Sequence, residues 1–229
     1  MRFHVITLFP SLVRSYLSES ILARAIKEKK ISVAFYNPRD FVKAGKSQKG
    51  KAKPYLRVDD KPYGGGPGMI LQATPVIKAV EAALKKIPNY KSQITNKKTK
   101  IVFFSPSGKK FDTKYAKTVA KKYSDIILIC GRYEGIDARV KKVFKMDDIS
   151  VGDYVLTGGE IPAMIMIDSI SRQIQGVLGN FDSREEERTA SRDVYTRPEI
   201  LKHKDRSHRV PKVLLSGHHK EIEAWKKVK

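Results

Sequence analysis

The chain has 229 residues, 41% of them hydrophobic, which excludes a wholly disordered polymer and leaves room for one large domain or two small ones. Lysine and arginine number 46 against 24 acidic residues, and the formal charge of +22 favours a polyanionic partner, nucleic acid being the usual one. The excess is +18 in residues 1–179 and +4 in residues 180–229. No apolar run is long enough for a transmembrane helix, and the single cysteine, Cys130, permits no internal disulfide. No membrane association and a cytoplasmic location are the expectations. The apolar start, broken at Pro10, is too short for a secretory leader and reads as a strand.

Phe3–Leu8 is predicted as the first strand, Ser11–Leu17 and Ile21–Lys29 as short helices, and the β-branched and aromatic Ile31–Tyr36 as a second strand. Asn37–Asp40 reads as a turn. Residues 43–58 carry Lys43, Lys46, Lys49, Lys51, Lys53 and Arg57 with no acid among them, a basic loop. Thr74 and Pro75 predict a helix start, Thr74 as cap and Pro75 as first helical residue. Val76, Val80, Ala83, Leu84 and Ile87 then form its apolar face. Ile101–Phe104 is a strand, Ser105–Gly108 a turn and Thr113–Lys122 a helix. The unbroken apolar Ile126–Cys130 suits a central parallel strand covered on both faces. Strands alternating with helices predict an α/β domain with a mainly parallel sheet over residues 1–179. Residues 180–195 have almost no apolar content and read as a linker. Residues 196–229 are too few for a core of their own. They read as a turn at Thr196–Pro198, an apolar stretch at Val210–Leu215 and a helix around Glu221–Lys227.

Four loop-like segments could carry chemistry, since ligands bind at the carboxyl ends of strands in open α/β sheets. Asp59–Met69 is dense in glycine and proline between Gly64 and Gly68, a backbone able to approach a ligand closely. Ser105–Gly108 follows two aromatics. Cys130–Asp137 places Arg132, Tyr133, Glu134 and Asp137 near the end of a buried strand, with Cys130 itself a small buried residue. Ser150–Gly176 brackets an apolar segment with Gly152, Gly158 and Gly159, then runs into Ile161–Ile167, apolar all round and suited to a core or a subunit interface. His203, His208, His218 and His219 match no metal-ligand spacing, and no metal site is expected.

ITLFP, YNPRDF, VDDKPYGGGPGM, FFSPSGKKFD, LICGRYEGIDARV, ISVGDYVLTGGEIPAMIMIDSISRQIQGVLGN, YTRPEIL and VLLSGHHKEIEAW run in this order from Ile6 to Trp225. In them the chain resembles the bacterial tRNA (guanine-37-N1)-methyltransferases of the SPOUT class. The resemblance implies an α/β domain with a C-terminal deep trefoil knot, a homodimer with a shared active site, and S-adenosylmethionine as cofactor. It implies methylation of N1 of guanosine 37 in tRNA with G at positions 36 and 37, and possible magnesium dependence. The implied cofactor site is Phe103, Phe104, Ser105, Pro106, Gly131, Tyr133, Glu134, Val151, Gly152, Asp153, Tyr154, Val155, Leu156, Thr157, Gly158, Gly159 and Pro162. The implied tRNA contacts are Lys49, Lys51, Lys53, Arg57, Asp59, Lys61, Gly64, Pro67, Gly68 and Arg197. Arg172 is implied as the cation facing guanine O6, and Glu134 as a residue placing cofactor or substrate.

Two departures from the family pattern matter. The family has an aspartate base in a linker resembling S-x-x-x-D-S-F, whereas this linker reads NFDSREEERTASRDVY. Alignment on Ser183 puts Glu187 at the base position, with Glu185 and Glu186 as neighbours able to compete. Family members also usually continue into a longer helical domain that grips tRNA. The short C-terminal segment here leads us to expect weaker tRNA discrimination, with the basic loop supplying phosphate contacts. Alternatives are a SPOUT relative acting on another RNA, a non-catalytic RNA-binding relative, or a basic ribosome-associated factor.

Overall fold

A computed structural model describes residues 1–42, 57–88, 99–179 and 193–227. The chain divides into two compact units, Met1–Gly179 and Asn180–Lys229.

The first unit contains β1 (Arg2–Ile6), α1 (Pro10–Leu17), α2 (Ser20–Lys27), β2 (Ser32–Tyr36), a 3₁₀ turn (Pro38–Phe41), β3 (Asp59–Asp60), β4 (Ile70–Leu71), α3 (Ala73–Lys85), β5 (Thr99–Lys110), α4 (Thr113–Lys122), β6 (Asp125–Ile129), α5 (Arg139–Val143), β7 (Asp147–Ser150) and α6 (Glu160–Ser171). Five strands form a parallel sheet in the order β2-β1-β6-β5-β7. This is the predicted α/β class, and the apolar run of β6 takes the central place because every one of its residues is buried. Its side chains alternate between two cores. Ile126 and Leu128 join Phe3, Val5 and the apolar stripes of α1, α2, α4 and α6, whereas Ile127 and Ile129 join Ile6, Leu8 and α3.

Two expectations are corrected. The helix expected to start at Pro75 begins two residues earlier at Ala73, with Gln72 as N-cap in extended backbone and Thr74 inside the first turn. Pro75 is tolerated there because the first four helical amides lack intrahelical partners anyway. The expected turn at Ser105–Gly108 lies within β5, where pairing shifts register so that Phe104 and Lys109 both face Ile149. Gly108 permits this, since a Cβ there would stand 2.6 Å from the backbone of Asp148 and Ile149.

Opposite the carboxyl ends of the strands, Asp125 is fully buried. It accepts two hydrogen bonds from Arg2 at 2.6 and 2.8 Å, one from Ser124 at 2.7 Å, and lies 3.2 Å from His4 Nε2. Burial raises its carboxyl pKa, but the hydrogen bonds from Arg2, His4 and Ser124 outweigh it and hold the group well below the usual carboxylate range.

The second unit contains β8 (Ile200–His203), β9 (Arg206–Arg209), α7 (Lys212–Leu215) and α8 (His219–Lys227). Strands β8 and β9 form an antiparallel hairpin that sequence reading missed. Its polar, basic residues show no apolar alternation, and its turn at Lys204-Asp205 contains no glycine. None of the described residues 193–227 is buried. Tyr195 and Trp225 pack with ring centroids 6.1 Å apart.

Candidate active site

The middle of β5, at Phe103–Pro106, and the carboxyl ends of β6 and β7 open onto a cavity of about 250 Å³. Every residue expected at the cofactor lines it except Asp153 and Thr157. Asp153 points away and pairs with Lys110 at 2.6 Å. Thr157 turns its carbonyl toward Arg132, which donates to it at 3.3 Å. Arg132, Gly135, Ile149 and Ser150 also line the cavity.

Local chemistry explains why these loops meet. Gly131 lies two residues past β6, and its carbonyl accepts the Gly159 N–H at 2.9 Å. A Cβ on Gly159 would lie 2.6 Å from Cys130 Cα, so only glycine allows the two backbones to come this close. Tyr154 folds back over Gly152, whose added Cβ would lie 2.3 Å from the Tyr154 ring. On the outer side, Lys141 Nζ sits 4.2 Å from the centroid of the Phe103 ring. Cys130 is buried, and that burial pushes its thiol pKa well up, so it is inert packing rather than a nucleophile.

The glycine-rich loop is attached to this pocket. Short strands β3 and β4 pair antiparallel and hold the loop between them. Glu134 N–H donates to Met69 O and Leu71 N–H to Gly135 O, both at 3.0 Å. Gly64, Gly65, Gly66 and Gly68 all have positive φ, and a Cβ on Gly68 would strike Glu134 Cγ at 2.7 Å. Glu134 thus joins the pocket to a loop whose Tyr63, Gly64, Pro67 and Gly68 are all exposed. Arg57 and Lys61 flank it and are exposed, whereas Asp59 is buried beside Arg57 at 3.6 Å. Lys49, Lys51, Lys53 and Glu187, with Glu185 and Glu186, lie outside the described residues. Arg197 lies in the second unit.

Arg172 is not part of this cavity. It caps the carboxyl end of α6, whereas Pro162 at the other end lines the pocket. Ten residues of helix separate them by about 15 Å. Among the described residues, no group of three or more His, Cys, Asp or Glu side chains could hold a metal ion. No helix among them is long and apolar enough to cross a membrane.

The family described as tRNA (Guanine-1)-methyltransferase TrmD matches residues 1–229. The chain belongs to that family. A tRNA (guanine-N(1)-)-methyltransferase from Clostridioides difficile is 43% identical over 234 residues, covering 99% of this chain and 91% of that relative. One from Vibrio vulnificus is 42% identical over 226 residues, covering 97% of this chain and 82% of the relative. The crystal structure of tRNA (m1G37) methyltransferase from Aquifex aeolicus superposes with a TM-score of 0.71 at 38% identity, covering 99% of this chain and 88% of that one.

Sequence reading placed Arg132 and Glu160 in site segments without giving either a role, and left Thr7 out. The place of Arg132 between two pocket glycines signalled its position. Nothing in the sequence signalled the contact of Thr7 with Glu160, which joins residues 153 apart.

Proposed function

We propose that this TrmD-family chain is a homodimeric enzyme that methylates N1 of guanosine 37 in the tRNA anticodon loop. The observation that supports it most directly is the pocket between the middle of β5 and the carboxyl ends of β6 and β7, in a chain that matches the family along its length. The pocket suits an adenosine-bearing cofactor. Phe103, Val151 and Leu156 offer apolar cover, and the glycine-bracketed backbone offers amide and carbonyl edges for adenine and ribose. Bound there, S-adenosylmethionine supplies an electrophilic methyl group on a sulfonium.

The protein's own task concerns the guanine. Neutral N1 carries a proton and is a weak nucleophile. As the N1–methyl bond forms and the sulfur–methyl bond breaks, the N1 proton must go to a base while negative charge gathers on O6. Arg172 is the proposed cation, its planar fork suited to the O6/N7 edge. Since α6 keeps it about 15 Å from Pro162 of its own chain, the reading places it in the pocket of the partner subunit. Exposed Leu12, Tyr16 and Ile161 support such an interface, where α1 packs on α6 and Tyr16 donates a hydrogen bond to Asp168. Glu187 is the proposed base, and Glu134 the residue that relates cofactor pocket to tRNA loop. The pocket loops belong, on this reading, to the deep trefoil knot of the class. Magnesium has no three-ligand cluster to hold it among the described residues, and no step here runs through it.

Charge of +22, the exposed loop bearing Arg57 and Lys61, and Arg197 support tRNA as the polyanion. The test is methyl transfer to an unmodified tRNA transcript with G at 36 and 37. Transfer that disappears with a G37→A transcript, with Arg172→Ala and with Glu187→Gln is the expected result. Equal transfer to both transcripts, or none while the cofactor binds, would overturn it.

A further inference from the structure

Four residues beside the pocket close a ring of contacts. Thr7 follows β1 and is 1% exposed. Its hydroxyl donates to Glu160 Oε1 at 2.7 Å and accepts the Phe9 N–H at 2.9 Å. Glu160 opens α6, is 2% exposed, and turns its other oxygen to Arg132, with Nε and Oε2 at 2.9 Å. Among the described residues these two atoms have no well-directed hydrogen bond, so they meet as opposite charges. The Arg132 guanidinium lies 4.6 Å from the centroid of the Phe9 ring, which closes the ring back to Thr7.

The circuit is wired to both pocket loops. Arg132 belongs to the loop after β6 and donates to Thr157 O at 3.3 Å, in the loop before α6. It also forms an isolated antiparallel bridge with Gly158. Gly158 leaves room for the ion pair, since a Cβ there would stand 2.5 Å from Arg132 Nε and 2.8 Å from Glu160 Oε2. Thr7 and Glu160 themselves do not line the cavity.

A buried ion pair gives little stability beyond that of an apolar replacement, because desolvation offsets most of the attraction. What it does give is direction. A charge fixed at the start of α6, where the helix dipole favours it, holds the guanidinium at one height over Phe9. The guanidinium in turn holds the Thr157 carbonyl. An apolar pair of equal volume would fill the space without setting the distance between the loops.

We propose that Glu160 is a positioning residue of the methyl-transfer site. Anchored by Thr7, it sets Arg132, and Arg132 sets the spacing of the Gly131–Gly135 and Val155–Gly159 loops around the cofactor. This rests on the reading of the cavity as the S-adenosylmethionine site.

Thr7 gives the clean test, since it does not line the cavity and valine nearly matches its shape. Thr7→Val deletes the hydroxyl at nearly constant shape, and Thr7→Ser keeps it. S-adenosylmethionine is titrated calorimetrically into the folded proteins at 25 °C, and methyl transfer is followed at varied cofactor. Thr7→Val is expected to raise Kd and KM for the cofactor about tenfold, with kcat at saturating cofactor changed far less. Thr7→Ser restores both, and Glu160→Gln weakens binding at least as much as Thr7→Val. Where Glu160→Gln does not fold, the Thr7 pair decides alone. A role confined to stability lowers Tm and leaves Kd within about twofold of wild type, and that result, or a Thr7→Ser that restores nothing, overturns the proposal. Wild-type protein that fails to bind the cofactor overturns the reading of the cavity instead, and this inference with it.

Discussion

Replacement of Gly159 by alanine isolates the effect of close approach. Its φ of −84° is one that any residue adopts, so the substitution carries no backbone penalty. The added Cβ would lie 2.6 Å from Cys130 Cα, 3.0 Å from Gly131 N and 3.1 Å from the Cys130 carbonyl carbon. Ordinary contact begins at 3.4 Å, so the end of β6 and the start of α6 must part by about 0.8 Å. All three neighbours are backbone atoms, and no side chain can swing aside. Parting them stretches the 2.9 Å hydrogen bond from Gly159 to Gly131. We expect a stability loss of about 1–3 kcal/mol, typical of overpacking. A displacement near 1 Å in the pocket wall should slow methyl transfer on the order of 100-fold. Thermal unfolding and single-turnover transfer to a tRNA transcript measure the two effects. Gly179→Ala is the control, since a Cβ there meets nothing within 4 Å, and it should lie within about 0.5 kcal/mol of wild type. Unchanged Tm and transfer in Gly159→Ala would refute the close-approach reasoning.

Asp125 makes stability depend on pH in a stated direction. Its folded pKa lies below the unfolded one, so its contribution is complete above about pH 4 and is lost as pH falls through the folded value. Asp125→Asn should therefore cost about 2 kcal/mol at pH 7, with the two proteins converging in acid; a gap that ignores pH would contradict this. Arg172→Ala should bind the cofactor normally yet transfer no methyl. Mixed and re-paired with Gly159→Ala, it should regain about a quarter of wild-type sites if each pocket takes Arg172 from the partner, and a mixture no better than its components would place the site within one chain. The Cys130 thiol should resist an aromatic disulfide reagent in native protein and react on unfolding; rapid native reaction would contradict its burial.

Much of this architecture is legible in the amino-acid sequence. The run Ile126–Cys130 suited a strand covered on both faces, and most of it lies in β6, the middle of five. The stripe of Val76, Val80, Ala83 and Leu84 needed one face to bury against, and α3 supplies it. These features rest on local periodicity, which the chain states residue by residue. The loops of the pocket were legible too, because glycine is required where two backbones touch, as at Gly159, or where a buried side-chain pair needs the space, as at Gly158.

What the chain could not state alone was distance across the fold. The hairpin of β8 and β9 has no apolar alternation to announce it. The register shift in β5 depends on which strand lies alongside. Thr7, Arg132 and Glu160 are separated by more than a hundred residues at one step and 28 at the other, and only the crossovers of the parallel sheet bring them together. Arg172 is the cation that the resemblance implies, yet the rigid rise of α6 removes it from its own pocket. Composition and periodicity determine which residues are apolar, basic or permissive. Tertiary structure decides which of them meet, because burial and pairing are properties of neighbours in space.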